Sequence, residues 1–147
     1  MEYLCFSNHY GRLFILNWDY LLKWHYSPLT AAFEKKIKKA IAAYAPISST
    51  ETPMLMEDFT LFGSAKEGFV WTNEKIYIKE MFEPKVSFSF HDVKEVRCTE
   101  KSNALYYIEL VTAGKAYTIS TRSTAADAQK TTEFYNDVLM LFRLHYC

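Results

Sequence analysis

The sequence contains few chain-breaking residues and no excess of charge of either sign. Its 147 residues include four Gly, four Pro, 17 Lys and Arg, and 17 Asp and Glu. Collagen-like and disordered chains have far more Gly and Pro or a high net charge, so both classes are excluded. A net charge of zero also argues against a nucleic-acid binder, because neutralising many phosphates requires an excess of cations. We therefore expect a globular protein with no nucleic-acid partner.

Cysteine is scarce as well. Cys5, Cys98 and Cys147 are odd in number and widely spaced, which predicts neither a disulfide framework nor a zinc site. No apolar run approaches the ~20 residues of a membrane-spanning helix, and the first residues lack the basic and hydrophobic regions of a signal peptide. Reduced thiols fit a reducing compartment, so we expect a cytoplasmic, bacterial-type protein.

Aromatic residues are plentiful instead. Half of the residues are apolar and 17% are aromatic, which is enough for the core of one domain of this length. Eight aromatic residues lie in the first 26 positions, Trp18 and Trp24 among them. Because Tyr and Trp are enriched at protein interfaces, we expect this segment to form part of a surface for self-association (a homo-oligomer) or for a protein partner.

Three stretches have the apolar spacing of helices. The first follows Asn17, and the second begins at Ser27 and Pro28 and ends before Pro46. The apolar face of the second would consist of Phe33, Ile37, Ala40, Ile41 and Tyr44. The third begins at the capping pattern Thr124 to Asp127 and continues as a broad apolar stripe, which predicts a C-terminal helix that faces the core.

Residues 51–122 are predicted to form short strands. Val86, Phe88 and Phe90 alternate with serines, which is typical of a half-buried strand. Two further β-type runs flank Ala113 and Gly114, and this predicts a hairpin in which Gly114 has a positive φ. Five to seven strands joined by short turns favour an antiparallel meander over parallel crossovers.

The stretch from about residue 54 to residue 146 resembles a known family. The stretch Phe62-Gly-Ser-Ala-Lys-Glu-Gly-Phe-Val-Trp-Thr-Asn-Glu-Lys-Ile-Tyr-Ile-Lys79 is similar to the first hairpin of bacterial pleckstrin-homology-like (PH-like) domains, and Val86 to Val96 is similar to the element that follows it. The resemblance implies an α+β fold, a partly open antiparallel β-barrel capped by a long C-terminal helix. Residues 1–53 would be an N-terminal helical extension and connector, and residues 54–147 the PH-like domain.

The resemblance also implies a mode of binding. PH-like barrels accept a peptide along the groove between an edge strand and the C-terminal helix. We therefore expect a non-enzymatic protein- or peptide-binding module, either an adaptor or an immunity or regulatory protein. The expected contacts are the edge residues Lys85 to Phe90, Phe88 among them, and the outer face of the last helix. Eukaryotic relatives bind phosphoinositides through a basic loop in the first hairpin, whereas the loop here, Thr72 to Lys75, has one Lys and one Glu.

A lysine cluster predicts a second binding mode. Four lysines would cover much of the solvent face of the second predicted helix, and these are Lys35, Lys36, Lys38 and Lys39. Each Lys near an anionic membrane contributes about 1 kcal/mol of attraction. The alternative function is therefore a peripheral binder of anionic lipid surfaces, and the simpler interpretation is a solvated helix face partly neutralised by Glu34.

Motifs for catalysis and metal binding are absent from the sequence. The four His residues lack metal-ligand spacing. The segment Gly63 to Gly68 lacks the ending of a phosphate-binding loop, and no Gly-x-Ser-x-Gly occurs. A small hydrolase built from His91, Asp92 and a cysteine is the one enzymatic alternative. We expect no catalytic residues, no cofactor and no metal.

Overall fold

The structure is a computed structural model. It describes residues 3–7, 13–17, 33–60, 62–101 and 104–145. The chain folds into two compact units, with residues 15–89 in the first unit and residues 90–145 in the second. The remaining residues of both units belong to the N-terminal and C-terminal segments.

The N-terminal segment contains two strands. β1 (Tyr3–Ser7) and β2 (Leu13–Asn17) form a two-stranded sheet. The segment expected as an N-terminal helical extension and connector, residues 1–53, thus also contains strands, because residues 3–7 and 13–17 are rich in the aromatic and aliphatic side chains that favour them. The helix predicted after Asn17, and with it Trp18 and Trp24, lies outside the described residues.

The first unit contains one helix and a four-stranded antiparallel sheet. Helix α1 (Phe33–Ala43) is followed by β3 (Pro53–Asp58), β4 (Gly68–Thr72), β5 (Lys75–Lys79) and β6 (Val86–Ser89). The strand order is β3-β4-β5-β6, so each strand pairs with the next along the chain. The prediction of an antiparallel meander is confirmed for this sheet.

Helix α1 packs its apolar face against this sheet. Phe33, Ile37, Ala40 and Tyr44 are buried and share one core cluster with residues of β3, β4 and β5. Full burial of a large apolar side chain stabilises by about 1.5–3 kcal/mol, so this face fixes the helix on the sheet. Ile41, predicted on the same face, is instead 42% exposed at the border of the stripe. The expected boundary between residues 53 and 54 falls inside this unit, because α1 and the sheet share a core.

The second unit is a three-stranded antiparallel sheet covered by a long helix. A 3₁₀ turn (Phe90–Asp92) leads into β7 (Glu95–Lys101), β8 (Leu105–Val111) and β9 (Ala116–Arg122), and α2 (Ala125–His145) contacts all three strands. The predicted cap is confirmed, since Thr124 Oγ1 accepts a hydrogen bond from the Asp127 N–H at 3.2 Å. The fold is therefore α+β, with antiparallel sheets of four and three strands that the described hydrogen bonds do not join into a closed barrel.

The β8–β9 turn forms where the sequence predicts it but without a left-handed glycine. Gly114 does not have a positive φ, which corrects the prediction. The Thr112 N–H donates to the Lys115 carbonyl at 2.9 Å, and the Thr112 hydroxyl also bonds to the Lys115 backbone. These bonds close the turn, so no left-handed residue is required.

The amide of Asn136 on α2 covers part of the edge strand β7. Its Oδ1 accepts a hydrogen bond from the Val96 N–H at 3.2 Å, and its Nδ2 donates to the Val96 carbonyl at 3.1 Å. Both backbone groups of Val96 are thereby bonded as they would be to a residue of a neighbouring strand. The helix thus occupies the start of this sheet edge, at the second residue of β7, as well as the sheet face.

Gly68 begins β4 at a position that only glycine fits. A Cβ built on Gly68 would lie 2.0 Å from the Glu57 carbonyl oxygen, and its φ is +153°. We predict that Gly68→Ala lowers the free energy of unfolding by about 2–4 kcal/mol, because a backbone atom must move. Gly114→Ala is the control, because nothing lies within 4 Å of its Cβ position. Urea unfolding measures both, and equal midpoints would contradict the prediction.

Candidate binding surface

Helix α1 presents three of the four predicted binding lysines to solvent. Lys35, Lys38 and Lys39 are exposed, whereas Lys36 is largely enclosed. The predicted edge residues lie elsewhere in the unit: Lys85 is exposed before β6 and Phe88 is half-buried within it. The structure therefore groups the exposed helix lysines, but it does not join them with the β6 residues in one site.

Lys36 is a structural residue and not part of the exposed lysine cluster. Its Nζ donates to Asp58 Oδ2 at 2.7 Å and to the Gly63 carbonyl at 2.5 Å. The Lys36 and Asp58 side chains are only 13% and 6% exposed. Burial alone would raise the pKa of Asp58, but the hydrogen bonds from Lys36 and Thr60 outweigh it and lower the pKa. The expectation that Lys36 binds a ligand is corrected, because its charge is used to hold β3 and a loop to α1.

In the loop between β3 and β4, residues 59–67, the described residues 59–60 and 62–67 make several backbone contacts. Gly63 and Ala65 both have positive φ, 72° and 56°, and the Ala65 N–H donates to Thr60 Oγ1 at 3.3 Å. The Ala65 methyl group is fully buried in the core of the unit. Phe62, between these contacts, is 93% exposed. The loop thus has an anchored base and an exposed aromatic tip.

The loop between β5 and β6, residues 80–85, also combines a backbone hydrogen bond with an exposed aromatic residue. The Glu83 N–H donates to the Glu80 carbonyl at 3.2 Å and closes a turn. Phe82 is the third residue of this turn, with φ of 63° and 94% exposure, and Met81 before it is 59% exposed. Glycine normally occupies the third position of a turn that requires positive φ there, so a bulky aromatic residue is unusual.

The two loops lie at the same end of the four-stranded sheet. Asp58 pairs with Gly68 and Gly68 pairs with Lys79, and these three residues adjoin the two loops. Because consecutive strands run in opposite directions, alternate connections return to one end. Phe62, Met81 and Phe82 are therefore exposed apolar residues on two loops at one end of the sheet, and we name these three residues the loop end. No periodicity in the sequence predicts the loop end. The only signal is the apolar pair Met81 and Phe82 in a turn segment before Pro84.

The 59–67 loop and helix α1 also form a cleft of about 450 Å³. Its lining consists of Lys39, Ala42, Ala43, Ser64 and Lys66. The cleft combines two exposed lysines from different elements with a hydroxyl group and small side chains. Lys39, one of the predicted binding lysines, thus lines the same cleft as Ser64 and Lys66 from the segment Gly63 to Gly68.

Glu51 is a buried carboxylate held by neutral donors. Its oxygens accept hydrogen bonds from the Ser48 N–H, from Thr72 Oγ1 and from the Tyr77 hydroxyl, all at 2.8–2.9 Å. Burial alone would raise the pKa of Glu51, but these hydrogen bonds lower it. Burial and the adjacent carboxylate raise the pKa of Tyr77. Both side chains are enclosed, so the cluster stabilises the sheet and offers no access to a substrate.

The residues of the enzymatic alternative are exposed and dispersed in the described structure. His91 and Asp92 lie in the 3₁₀ turn, and Cys98 is exposed on β7. Across the described ranges, no group of three or more His, Cys, Asp or Glu residues is placed to hold a metal ion.

The same part of the chain contains no helix with the length and hydrophobicity needed to cross a membrane.

Comparison with known proteins yields no relatives. No protein-family model, no curated protein and no solved structure matches this chain.

The role of Lys36 predicts a large difference between neighbouring lysines. We expect Lys36→Met to lower the free energy of unfolding by about 2–3 kcal/mol, because the enclosed Asp58 carboxylate loses its cation. Lys35→Met, at an exposed position one residue away, should change it by less than about 0.5 kcal/mol. Chemical denaturation compares the two variants, and a similar loss in both would refute the assigned role.

The Glu51 cluster predicts a pH-dependent stability. Because the folded-state pKa of Glu51 lies below its ordinary value of 4.5, its contribution is present above that pH and is lost as the pH falls through the folded pKa. Glu51→Gln should therefore lower the free energy of unfolding by about 1–3 kcal/mol at neutral pH. Below about pH 4, the free energies of unfolding of the variant and the wild type should become more alike.

Urea unfolding at several pH values tests this dependence. Glu83→Gln is the control, since that side chain is exposed and should give a stability difference near zero throughout. A Glu51→Gln cost that stays constant across the pH range would show that the carboxylate charge is not the stabilising element.

Proposed function

We propose that this chain is a non-enzymatic protein-binding module and that it docks through the loop end. The observation that carries the proposal is that Phe62 and Phe82 are 93% and 94% exposed on two loops at one end of a sheet. Single exposed hydrophobic residues are normal on a folded surface. A group of them on neighbouring loops is typical of an interaction site, and aromatic residues are the usual anchors of such sites.

The backbone of Phe82 supports the proposal. A left-handed conformation costs a bulky residue roughly 1–2 kcal/mol, and glycine or asparagine at this position would reduce that cost. The ring offsets none of it by burial within the unit, since it is almost fully exposed. Strained residues of this kind are concentrated at functional sites, which fits an aromatic side chain held outward for a partner.

The charges around the loop end favour a protein partner over an anionic lipid. The charged residues of the two loops are Lys66, Glu67, Glu80, Glu83 and Lys85, two cations and three anions. A surface that docks on anionic lipid requires an excess of cations. An apolar centre with a rim of mixed charge is the usual composition of a protein interface.

The edge strand β7 is a less favoured location for a partner than the loop end, whereas the expected contacts at Lys85 to Phe90 around β6 stay a prediction. Asn136 already bonds both backbone groups of Val96 on β7, so a peptide added there would have to displace it.

We also infer that the fold is PH-like and that the module acts in the cytoplasm. The first inference is supported by the order of a four-stranded sheet, a three-stranded sheet and a C-terminal helix. The second is supported by three widely spaced cysteines, which fit a reducing compartment.

Site-specific photocrosslinking tests the docking surface. A benzoylphenylalanine residue placed at position 62 or 82 in source cells should crosslink to the same polypeptide, because both side chains would lie in one interface. Position 140 on α2 is the control, since Met140 is also exposed and apolar. Phe62→Ser should remove the crosslink from position 82 and weaken the complex by about 30-fold or more, as expected for an aromatic anchor.

Adducts to another protein or to a second copy of the chain, specific to positions 62 and 82, would support the proposal. Equal adducts from position 140, adducts to lipid alone, or no adducts would overturn it. Phe82→Gly provides a further check, because it should stabilise the free chain by about 1 kcal/mol while it weakens the complex. A loss of both stability and binding would instead mean that Phe82 has only a structural role.

A further inference from the structure

The cleft between α1 and the 59–67 loop has the features of an anion-binding site. Lys39 of the helix and Ser64 and Lys66 of the loop are part of its lining. The volume of about 450 Å³ falls within the range of small-molecule sites, roughly 300–1,000 Å³. The cleft is therefore larger than a bare inorganic ion needs.

The loop wall of the cleft is built by buried contacts. Ala65 buries its methyl group in the core while the residues on either side of it, Ser64 and Lys66, line the cleft. Lys36 Nζ donates a hydrogen bond to the carbonyl oxygen of Gly63, the residue before Ser64. Because these contacts fix the loop before any ligand arrives, little conformational entropy is lost on binding.

The charged groups that line the cleft are cationic. Neither Glu67, the carboxylate within the loop, nor Asp58, which precedes it, is part of the lining, and Asp58 is paired with Lys36. Lys35 lies one turn before Lys39 on the same helix face, outside the lining of the cleft. The C-terminal end of α1 has a partial negative charge equivalent to about half an electron, which the lysines outweigh.

We propose that this cleft binds a phosphate monoester carried by a small organic group. A phosphate monoester bears close to two negative charges at neutral pH, which matches Lys39 and Lys66, and lysine is a common phosphate ligand. Ala42 and Ala43 present methyl groups that a carbon skeleton attached to the phosphate would contact. The ligand is either a free phosphorylated metabolite or a lipid headgroup, since the chemistry recognised is the same. The inference is independent of the protein-docking proposal.

Titration of the full chain with glycerol 3-phosphate tests the free form. We expect binding that inorganic sulfate displaces only weakly, and a loss of about tenfold or more in affinity for Lys39→Gln and for Lys66→Gln. Lys38→Gln is the matched control, because it removes the same charge from the same helix at an exposed position that does not line the cleft. Ala43→Leu should block the cleft without any change of charge.

Vesicle cosedimentation tests the lipid form. Phosphatidylcholine vesicles that contain phosphatidic acid carry the monoester, whereas those that contain phosphatidylglycerol carry an anionic diester. Preference for phosphatidic acid that is lost in Lys39→Gln and Lys66→Gln would assign the lipid source, and binding of glycerol 3-phosphate alone would assign the metabolite. Equal binding to both vesicles, equal losses in Lys38→Gln, or no binding to either probe would overturn the inference. Thermal melting confirms that each variant is folded.

Discussion

The ammonium group of Lys36 connects three segments of the first unit. It bonds the end of β3 through Asp58 and the following loop through the Gly63 carbonyl, while its own backbone belongs to α1. The described residues of the 59–67 loop, 59–60 and 62–67, have no regular structure, so their position depends on such contacts. A charge-assisted hydrogen bond is about twice as strong as a neutral one, and here two of them share one donor group. The exposed tip at Phe62 and the cleft wall at Ser64 both rely on this anchoring.

The regular elements could be predicted in large part from local patterns. The spacing of Phe33, Ile37, Ala40 and Tyr44 identifies the buried face of α1, and Thr124 identifies the start of α2. These features follow from helix geometry and from capping, which act within a few residues. The position of the β8–β9 turn is equally local, but its backbone conformation depends on the Thr112 side chain. A glycine permits a positive φ without requiring one.

The candidate site could be predicted only in part, because it depends on contacts between distant residues. Lys36 and Asp58 are 22 positions apart, and nothing in the spacing of the four lysines distinguishes Lys36 from its neighbours. Phe62 and Phe82 are apolar and would ordinarily be assigned to the core. Their exposure results from the arrangement of two loops at one end of the sheet, which the order of strands determines. Composition and periodicity carry no information on that arrangement.

The amide of Asn136 has a consequence for the behaviour of the protein at high concentration. An uncovered edge strand is a template on which a second chain can extend the sheet, and such pairing leads to aggregates and fibrils. By bonding both backbone groups of Val96, Asn136 interrupts the row of groups that an incoming strand would need. One polar side chain on the helix that covers the sheet face therefore also occupies the backbone groups at the start of β7 to which an incoming strand would bond.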